Sequence, residues 1–206
     1  MRKPHHAAFL VVVTLLSVSA SKAQTRYTDH TNTKLSATEF RRLARACAPD
    51  IPLVTLRAIS RAESAFHPYA LSLDYPQRTA REQGFDGGEI FLARQPRTLG
   101  EARGWAGWLV QHGRSVSIGL MQVSTEHAAD LGLTADELFD PCTNIRVAAE
   151  IFKAKYRHAA ARSGEGQEAL WEALSEYNSG SSVVGFDNGY VTDVVSGEFY
   201  RAQAPQ

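Results

Sequence analysis

The segment Leu53-Val54-Thr55-Leu56-Arg57-Ala58-Ile59-Ser60-Arg61-Ala62-Glu63-Ser64 constrains the chain most. Pro52 opens it, and no Gly or Pro interrupts it, so the spacing predicts a helix. At 100° per residue, Leu53, Leu56 and Ile59 form one apolar stripe, and Glu63 falls about 20° from Leu56. A carboxylate on that stripe faces the core or a cleft cut into it. Desolvation there disfavours the charged form and raises the pKa, which is what a general acid working near neutral pH requires. The competing reading is a helix-end Glu turned to solvent or satisfied by an Arg, and the segment alone does not choose between them.

Other helices are announced by their ends. Ser36-Ala37-Thr38-Glu39 matches a capping box, followed at helical spacing by Phe40, Leu43, Ala44 and Cys47, with Pro49 as the stop. The Glu63 helix must stop near His67-Pro68, because the residue before proline avoids the α region. Residues 69–96, punctuated by Pro76, Gly84, Gly87 and Gly88, read as a long loop with a small β element. Only Glu89-Ile90-Phe91-Leu92-Ala93 hints at a strand. Thr98-Leu99-Gly100-Glu101 reads as a second capping box, leading a helix that ends at Gly113, with Trp105 and Trp108 expected on or near its inner face. The stretch Ser115 to Ser124 is too short and mixed for a surface helix. Thr134 to Glu137 caps a turn, and Asp140-Pro141 opens a helix with the stripe Ile145, Ala148, Ala149, Phe152, Tyr156 and Ala159. A further helix carries Leu170, Ala173, Leu174 and Tyr177 on one face and stops at Gly180. The expectation is a mainly α fold.

The start reads as an export signal. Arg2 and Lys3 precede the apolar run Ala7 to Val18, too short to anchor stably in a bilayer, and small residues follow up to Ala23. The expected organisation is a signal peptide over 1–23, a flexible lead-in over 24–35, one domain over 36–198 and a tail over 199–206. Cleavage after Ala23 removes three cations and no acid, taking the formal charge from 0 to −3. A mildly acidic chain without a basic run is a poor nucleic-acid binder. In an oxidising compartment the two cysteines, Cys47 and Cys142, are expected to pair. Cys142 lies three residues before Ile145 on its helix's stripe and so points inward. Nothing near either thiol has metal-ligand spacing, and His112, His127 and His158 show none either.

Three segments carry the chemistry: Glu63-Ser64-Ala65-Phe66-His67-Pro68, Ser117-Ile118-Gly119-Leu120-Met121-Gln122, and Glu176-Tyr177-Asn178-Ser179-Gly180. Singly each has a plain explanation: Gly119 a tight turn, Met121 core filler, Tyr177-Asn178 a helix end. In this order and at these separations they resemble the goose-lysozyme-like lytic transglycosylase family, and within it the specialised enzymes of type IV secretion systems. Leu56-Arg57-Ala58-Ile59, Arg94-Gln95-Pro96, Asp140-Pro141-Cys142-Thr143-Asn144-Ile145 and Gly189-Tyr190-Val191 extend the likeness over about residues 38–195.

The resemblance implies a lysozyme-like α+β domain that cleaves peptidoglycan between MurNAc and GlcNAc. The muramic acid's own 6-hydroxyl takes the place of water and gives a 1,6-anhydro product. Glu63 matches the single catalytic acid/base. Gly119, Leu120, Met121 and Gln122 match the wall of the sugar cleft, with Gln122 touching substrate. Ser64, in the first motif, is expected among the substrate-binding residues. Ser117 stands where a hydroxyl reaches the catalytic carboxyl or an N-acetyl group, and Tyr177 and Asn178 match the pair that positions Glu63 and the sugar. Neither cofactor nor metal is implied. The implied setting is the periplasm, with glycan strands and components of an envelope-spanning secretion machine as partners and no stable membrane span after signal cleavage. A true lysozyme-type hydrolase on the same scaffold and a non-catalytic murein-binding assembly subunit are the competing readings. The chain departs from the family pattern at His67 and Ser124, each in place of Asn, and at Glu176, where a small residue is commoner. Glu176 lies off its helix's apolar stripe and is expected in solvent rather than as a second acid. Asp74, Asp86 and Glu89 are the loop acids from which a hydrolase could draw a second carboxylate.

Overall fold

The computed structural model describes residues 34–74, 92 and 94–202, the side chains of 198–202 excepted. The signal segment, the suggested strand at 89–93 apart from Leu92, and the acids Asp86 and Glu89 lie outside the described residues.

The chain order is α1 (Ala37–Cys47), α2 (Leu53–Ser64), β1 (Leu71–Leu73), α3 (Leu99–Gln111), β2 (Val116–Ile118), β3 (Val123–Ser124), α4 (Thr125–Asp130), a 3₁₀ turn (Glu137–Phe139), α5 (Pro141–Ser163), α6 (Gln167–Ser179), α7 (Val184–Asp187) and α8 (Tyr190–Ala202). This is the expected mainly α architecture with a small sheet. Among the described residues no helix is long and apolar enough to cross a membrane.

The helix ends obey their local chemistry. Ser36 and Glu39 close a reciprocal capping box on α1. Leu35, read from sequence as the end of a flexible lead-in, is instead buried and donates its N–H to the Phe66 carbonyl at 2.9 Å. It precedes the N-cap while buried Phe40 stands at the fourth helical position, the two places of a hydrophobic staple. Asp140 accepts from Thr143 N–H and Pro141 opens α5. Gly180 stops α6 in the left-handed region at φ 72°. The second capping box is only half present. Thr98 accepts from Glu101 N–H, but the Glu101 carboxylate is drawn outward to Arg94 and to Arg97 N–H.

The antiparallel sheet has the order β1-β2-β3, with Leu71 opposite Ile118, Ser72 opposite Ser117 and Ser117 opposite Ser124. Its inner face is the buried set Leu71, Val116, Ile118 and Val123, and its outer face is a row of serines. The alternation Val116-Ser117-Ile118 is the period-2 signal of a half-buried strand, compressed into too few residues to stand out in the sequence. The free edge of β1 is closed by the Gln95 amide, which accepts from Leu71 N–H (2.8 Å) and donates to Leu71 O (2.9 Å).

The core gathers Phe40, Leu56, Ile59, Tyr69, Leu138, Ile145, Phe152 and Leu174 between α1, α2, α5, α6 and the sheet. Cys47 and Cys142 form a disulfide with a Cα–Cα distance of 5.4 Å, tying the end of α1 to the start of α5 across 95 residues of sequence. Trp108 departs from expectation. It is 59% exposed and stacks on His112 with ring centroids 4.0 Å apart, while Trp105 is half-buried beneath the Arg94 guanidinium. One turn of helix separates Trp108 from His112, so the two rings cover each other on the outer surface.

Candidate active site

The apolar residues of α2 bring Glu63 inward as their stripe requires: Leu56 and Ile59 are buried, and Glu63 sits in the last turn of the same face, half-buried. The helix then breaks sharply. Ala65 (φ 50°) and Phe66 (φ 65°) are both left-handed, and Gln122 (φ 48°) is the remaining non-glycine residue in that region among those described. Left-handed backbone is costly for residues with a Cβ. All three flank the Glu63 site.

The segment Gly119-Leu120-Met121-Gln122 forms the turn between β2 and β3, closed by Gln122 N–H to Gly119 O at 3.2 Å. Three helices hold it. From α2, Ser64 donates its hydroxyl to Leu120 O (2.8 Å). From α5, buried Asn144 accepts from Met121 N–H (2.8 Å) and donates to Ile118 O (2.8 Å) and Leu138 O (3.0 Å). From α6, Tyr177 donates its hydroxyl to Met121 O (2.7 Å) while its ring packs edge-on against Phe152. Leu120 and Met121 are buried beneath the turn. Gly119 is required twice over. Its φ is 81°, and a Cβ there would lie 2.7 Å from Asn144 Nδ2.

Glu63 faces two tyrosines. Tyr190, at the start of α8, donates to Glu63 Oε1 at 2.6 Å. Burial raises the Glu63 carboxyl to about 7, against the opposing pull of that hydrogen bond. Burial and the neighbouring Glu63 charge push the hydroxyls of both Tyr177 and Tyr190 upward, so they stay protonated donors. Tyr190 was legible in the sequence only as part of Gly189-Tyr190-Val191. No helical stripe pointed to it, since its approach to Glu63 spans 127 residues. Asn188 sets its position by accepting from Tyr190 N–H (3.0 Å) and donating to Asn178 Oδ1 (2.9 Å).

Several expected contacts are differently spent. Ser117 gives its hydroxyl to Asp74 Oδ1 at 2.5 Å, and Ser115 to the other oxygen, Oδ2, so neither hydroxyl reaches Glu63. The strand alternation that buries Val116 and Ile118 turns Ser117 to the opposite face of the sheet. Gln122 accepts from Ser72 Oγ (2.7 Å) and donates to Ala70 O (3.2 Å) and Gly119 O (2.9 Å), a half-buried side chain closing its own turn. Exposed Asn178 meets Asn188 rather than Glu63. Tyr177 braces the turn and reaches Glu63 only through space.

The three departures from the family pattern have local explanations. His67 is buried and its Nδ1 accepts from Tyr69 N–H (3.1 Å), the kind of turn closure an Asn oxygen supplies. Ser124 N-caps α4 by accepting from Glu126 N–H. Glu176 is not solvated but 5% exposed, held by Arg162 Nη2 (2.6 Å) and His158 Nδ1 (3.1 Å). Burial alone would raise its carboxyl, yet hydrogen bonds from His158 and Arg162 outweigh that and hold it below the ordinary value. It is charged, and it belongs to the α5–α6 contact. Among the described residues no group of three or more His, Cys, Asp or Glu side chains could hold a metal ion.

Among the described residues the arrangement offers one carboxyl that is neutral or ionised with equal ease near neutral pH, a phenol that donates a hydrogen bond to it, and a hydrogen-bonded turn beside it. Residues 42–194, well over half of the chain, match the family described as "Transglycosylase SLT domain". Protein virB1 of Rhizobium radiobacter is 34% identical over 171 residues, covering 79% of this chain and 62% of that protein. Protein virB1 of Agrobacterium fabrum (strain C58) is 35% identical over 161 residues, covering 78% and 59%. Type IV secretion system protein virB1 of Brucella abortus biovar 1 is 35% identical over 160 residues, covering 75% and 61%. The chain therefore spans about three fifths of the length of these relatives. No solved structure matches.

Proposed function

This chain belongs to the transglycosylase SLT family, and from that premise we propose that it is a peptidoglycan lytic transglycosylase with Glu63 as its single acid/base. Glu63 in its neutral form gives its proton to the glycosidic oxygen between MurNAc and GlcNAc, and the C1–O bond breaks toward an oxocarbenium-like transition state. The muramic acid's 6-hydroxyl then attacks C1 and returns its proton to the Glu63 carboxylate, which closes the 1,6-anhydro ring and consumes no water. Tyr190 steadies the carboxylate between the two transfers by giving it a charge-assisted hydrogen bond. The β2–β3 turn serves as the wall against which the sugar lies.

The observation that carries this reading is the Glu63 carboxyl raised to about 7 by burial, with a phenol on one oxygen. A group with that pKa is competent both to give and to take the same proton at neutral pH. The signal-like stretch at residues 1–23 supports export to the periplasm. Relatives whose names place them in type IV secretion support local opening of the wall for such a machine.

Digestion of murein sacculi by the mature protein, followed by mass spectrometry of the released muropeptides, tests the proposal. Products short of one water, absent with Glu63→Gln, are expected. Reducing-end products would make the enzyme a hydrolase. No release at all would leave a murein-binding subunit.

A further inference from the structure

Gly197 lies inside α8, where alanine is the better helix former and no turn or positive φ calls for glycine. The glycines of α3 (Gly100, Gly104, Gly107) have open space around them, but Gly197 does not. A Cβ on it would lie 1.9 Å from Arg61 Nη2, 2.2 Å from Cζ and 2.4 Å from Nη1. The guanidinium of Arg61 therefore occupies the place of the missing side chain. From there Nη2 donates to Asp193 O at 2.9 Å and Val194 O at 3.4 Å.

The spacing gives this contact a use. Tyr190, Asp193, Val194 and Gly197 stand at i, i+3, i+4 and i+7, one face of α8, with Val194 buried. Arg61 is two residues before Glu63 in the last turns of α2. The helix that carries the carboxyl thus grips the helix that carries its phenol, one turn beyond the Tyr190–Glu63 hydrogen bond. The Asn188–Asn178 bridge holds the near end of α8 to α6, and Arg61 holds its far side to α2.

We propose that Arg61 and Gly197 form a clamp that positions Tyr190 on Glu63, Gly197 being the residue that admits the guanidinium and Arg61 the one that sets the α2–α8 distance. Both are positioning residues that act through Tyr190. The role in turnover rests on the function proposed above, whereas the positioning itself does not.

Two variants break the clamp from opposite sides. Arg61→Met removes the donors from a partly exposed side chain, and Gly197→Ala expels the guanidinium while favouring the helix. Both are expected to melt cooperatively within a few degrees of the parent. The decisive reading is the Glu63 titration midpoint in ¹³C-glutamate-labelled mature protein, assigned by its disappearance in Glu63→Gln. Tyr177 and Tyr190 are the titratable groups facing Glu63 from α6 and α8. Tyr190→Phe in the parent removes a hydrogen bond that lowers the midpoint, so it is expected to raise it by about half a unit or more. In either clamp variant the same Tyr190→Phe change is expected to move it by less than about a fifth of that, because the phenol no longer rests on the carboxyl. Murein turnover is expected to follow. Tyr190→Phe lowers kcat by about tenfold in the parent and by less than about twofold in the clamp variants. Equal shifts from Tyr190→Phe in all three backgrounds would overturn the clamp. A parent that releases no anhydro-muropeptides would sink the functional reading instead, and the titration would still decide the clamp.

Discussion

The burial of Glu63 has a consequence for stability that can be worked from its geometry. In an unfolded chain its carboxyl titrates near 4.5, and in the folded protein at about 7. A difference of about 2.5 units at about 1.36 kcal/mol each amounts to about 3 kcal/mol. The folded state holds the proton more tightly. The stabilisation from the neutral form is therefore complete below the unfolded value and is lost as pH rises through about 7. Glu63→Gln removes the titration while keeping the shape, and its amide oxygen still accepts from Tyr190. The variant should match the parent at pH 4. It should gain on the parent from about pH 4.5 to 7 and level off about 3 kcal/mol more stable by pH 8. For a domain of this size that is about 6–12 °C in Tm. Thermal melts of both proteins at pH 4 and pH 8, with the disulfide intact, measure it directly. An equal gain at both pH values would trace the effect to packing rather than ionisation. A loss at pH 8 would mean that the charged carboxylate is the form the fold prefers, and the reasoning that makes Glu63 a proton donor would fail with it. In the parent, activity should decline above pH 7 along the same titration.

Other consequences follow from the disulfide, from Asn144 and from Glu176. Replacing Cys47 and Cys142 with Ser opens a loop of 95 residues and should cost about 4–5 kcal/mol in the chain-entropy model, read as a lower urea midpoint that reductant imposes on the parent as well. Asn144→Leu strips Met121 N–H of its acceptor and two buried carbonyls of their donor, so about 3 kcal/mol should be lost in urea unfolding and murein turnover should fall with it. Glu176→Gln should lower stability by about 1–2 kcal/mol at pH 7, because Arg162 keeps Glu172 and solvent as partners, and should leave turnover within about twofold of the parent; a collapse of kcat would restore Glu176 as a second acid.

What the sequence disclosed and what it hid divide along physical lines. Helix ends were legible because their chemistry is local: Ser36, Asp140 and Gly180 act within four residues of themselves. The inward turn of Glu63 was legible for the same reason, as a phase on an uninterrupted stripe. The sheet was legible only as a small β element between residues 69 and 96, where β1 lies; β2 and β3 were not, because strands of two or three residues carry too few alternations to be told from a loop. Glu176 was misjudged because the periodicity of one helix does not reveal that Arg162 and His158 project from another onto its polar side. Trp108 erred the opposite way, its mate His112 being on the same exposed face. Tyr190 could be noticed as part of a motif, but its purpose depends on two helix ends meeting across 127 residues.

On the proposed function, the motif residues divide into those that can meet a reacting sugar and those that build the place where it reacts. Ser64, Asn144 and Tyr177 each hydrogen-bond the backbone of residues 118–121. A side chain whose donor is already satisfied inside the protein has little left for a ligand, so their polar groups are better explained by the turn than by the substrate. The turn in turn needs Gly119 at positive φ and Gln122 folded back on Ala70 and Gly119. Three helices converge on four residues, and a fourth lays Tyr190 on the Glu63 carboxyl beside them. Such over-determination is what holds strained backbone at Ala65, Phe66 and Gln122 in place. It also fixes where a proton is kept, since a carboxyl pushed to about 7 by its surroundings retains that pKa only while the surroundings stay dry and still.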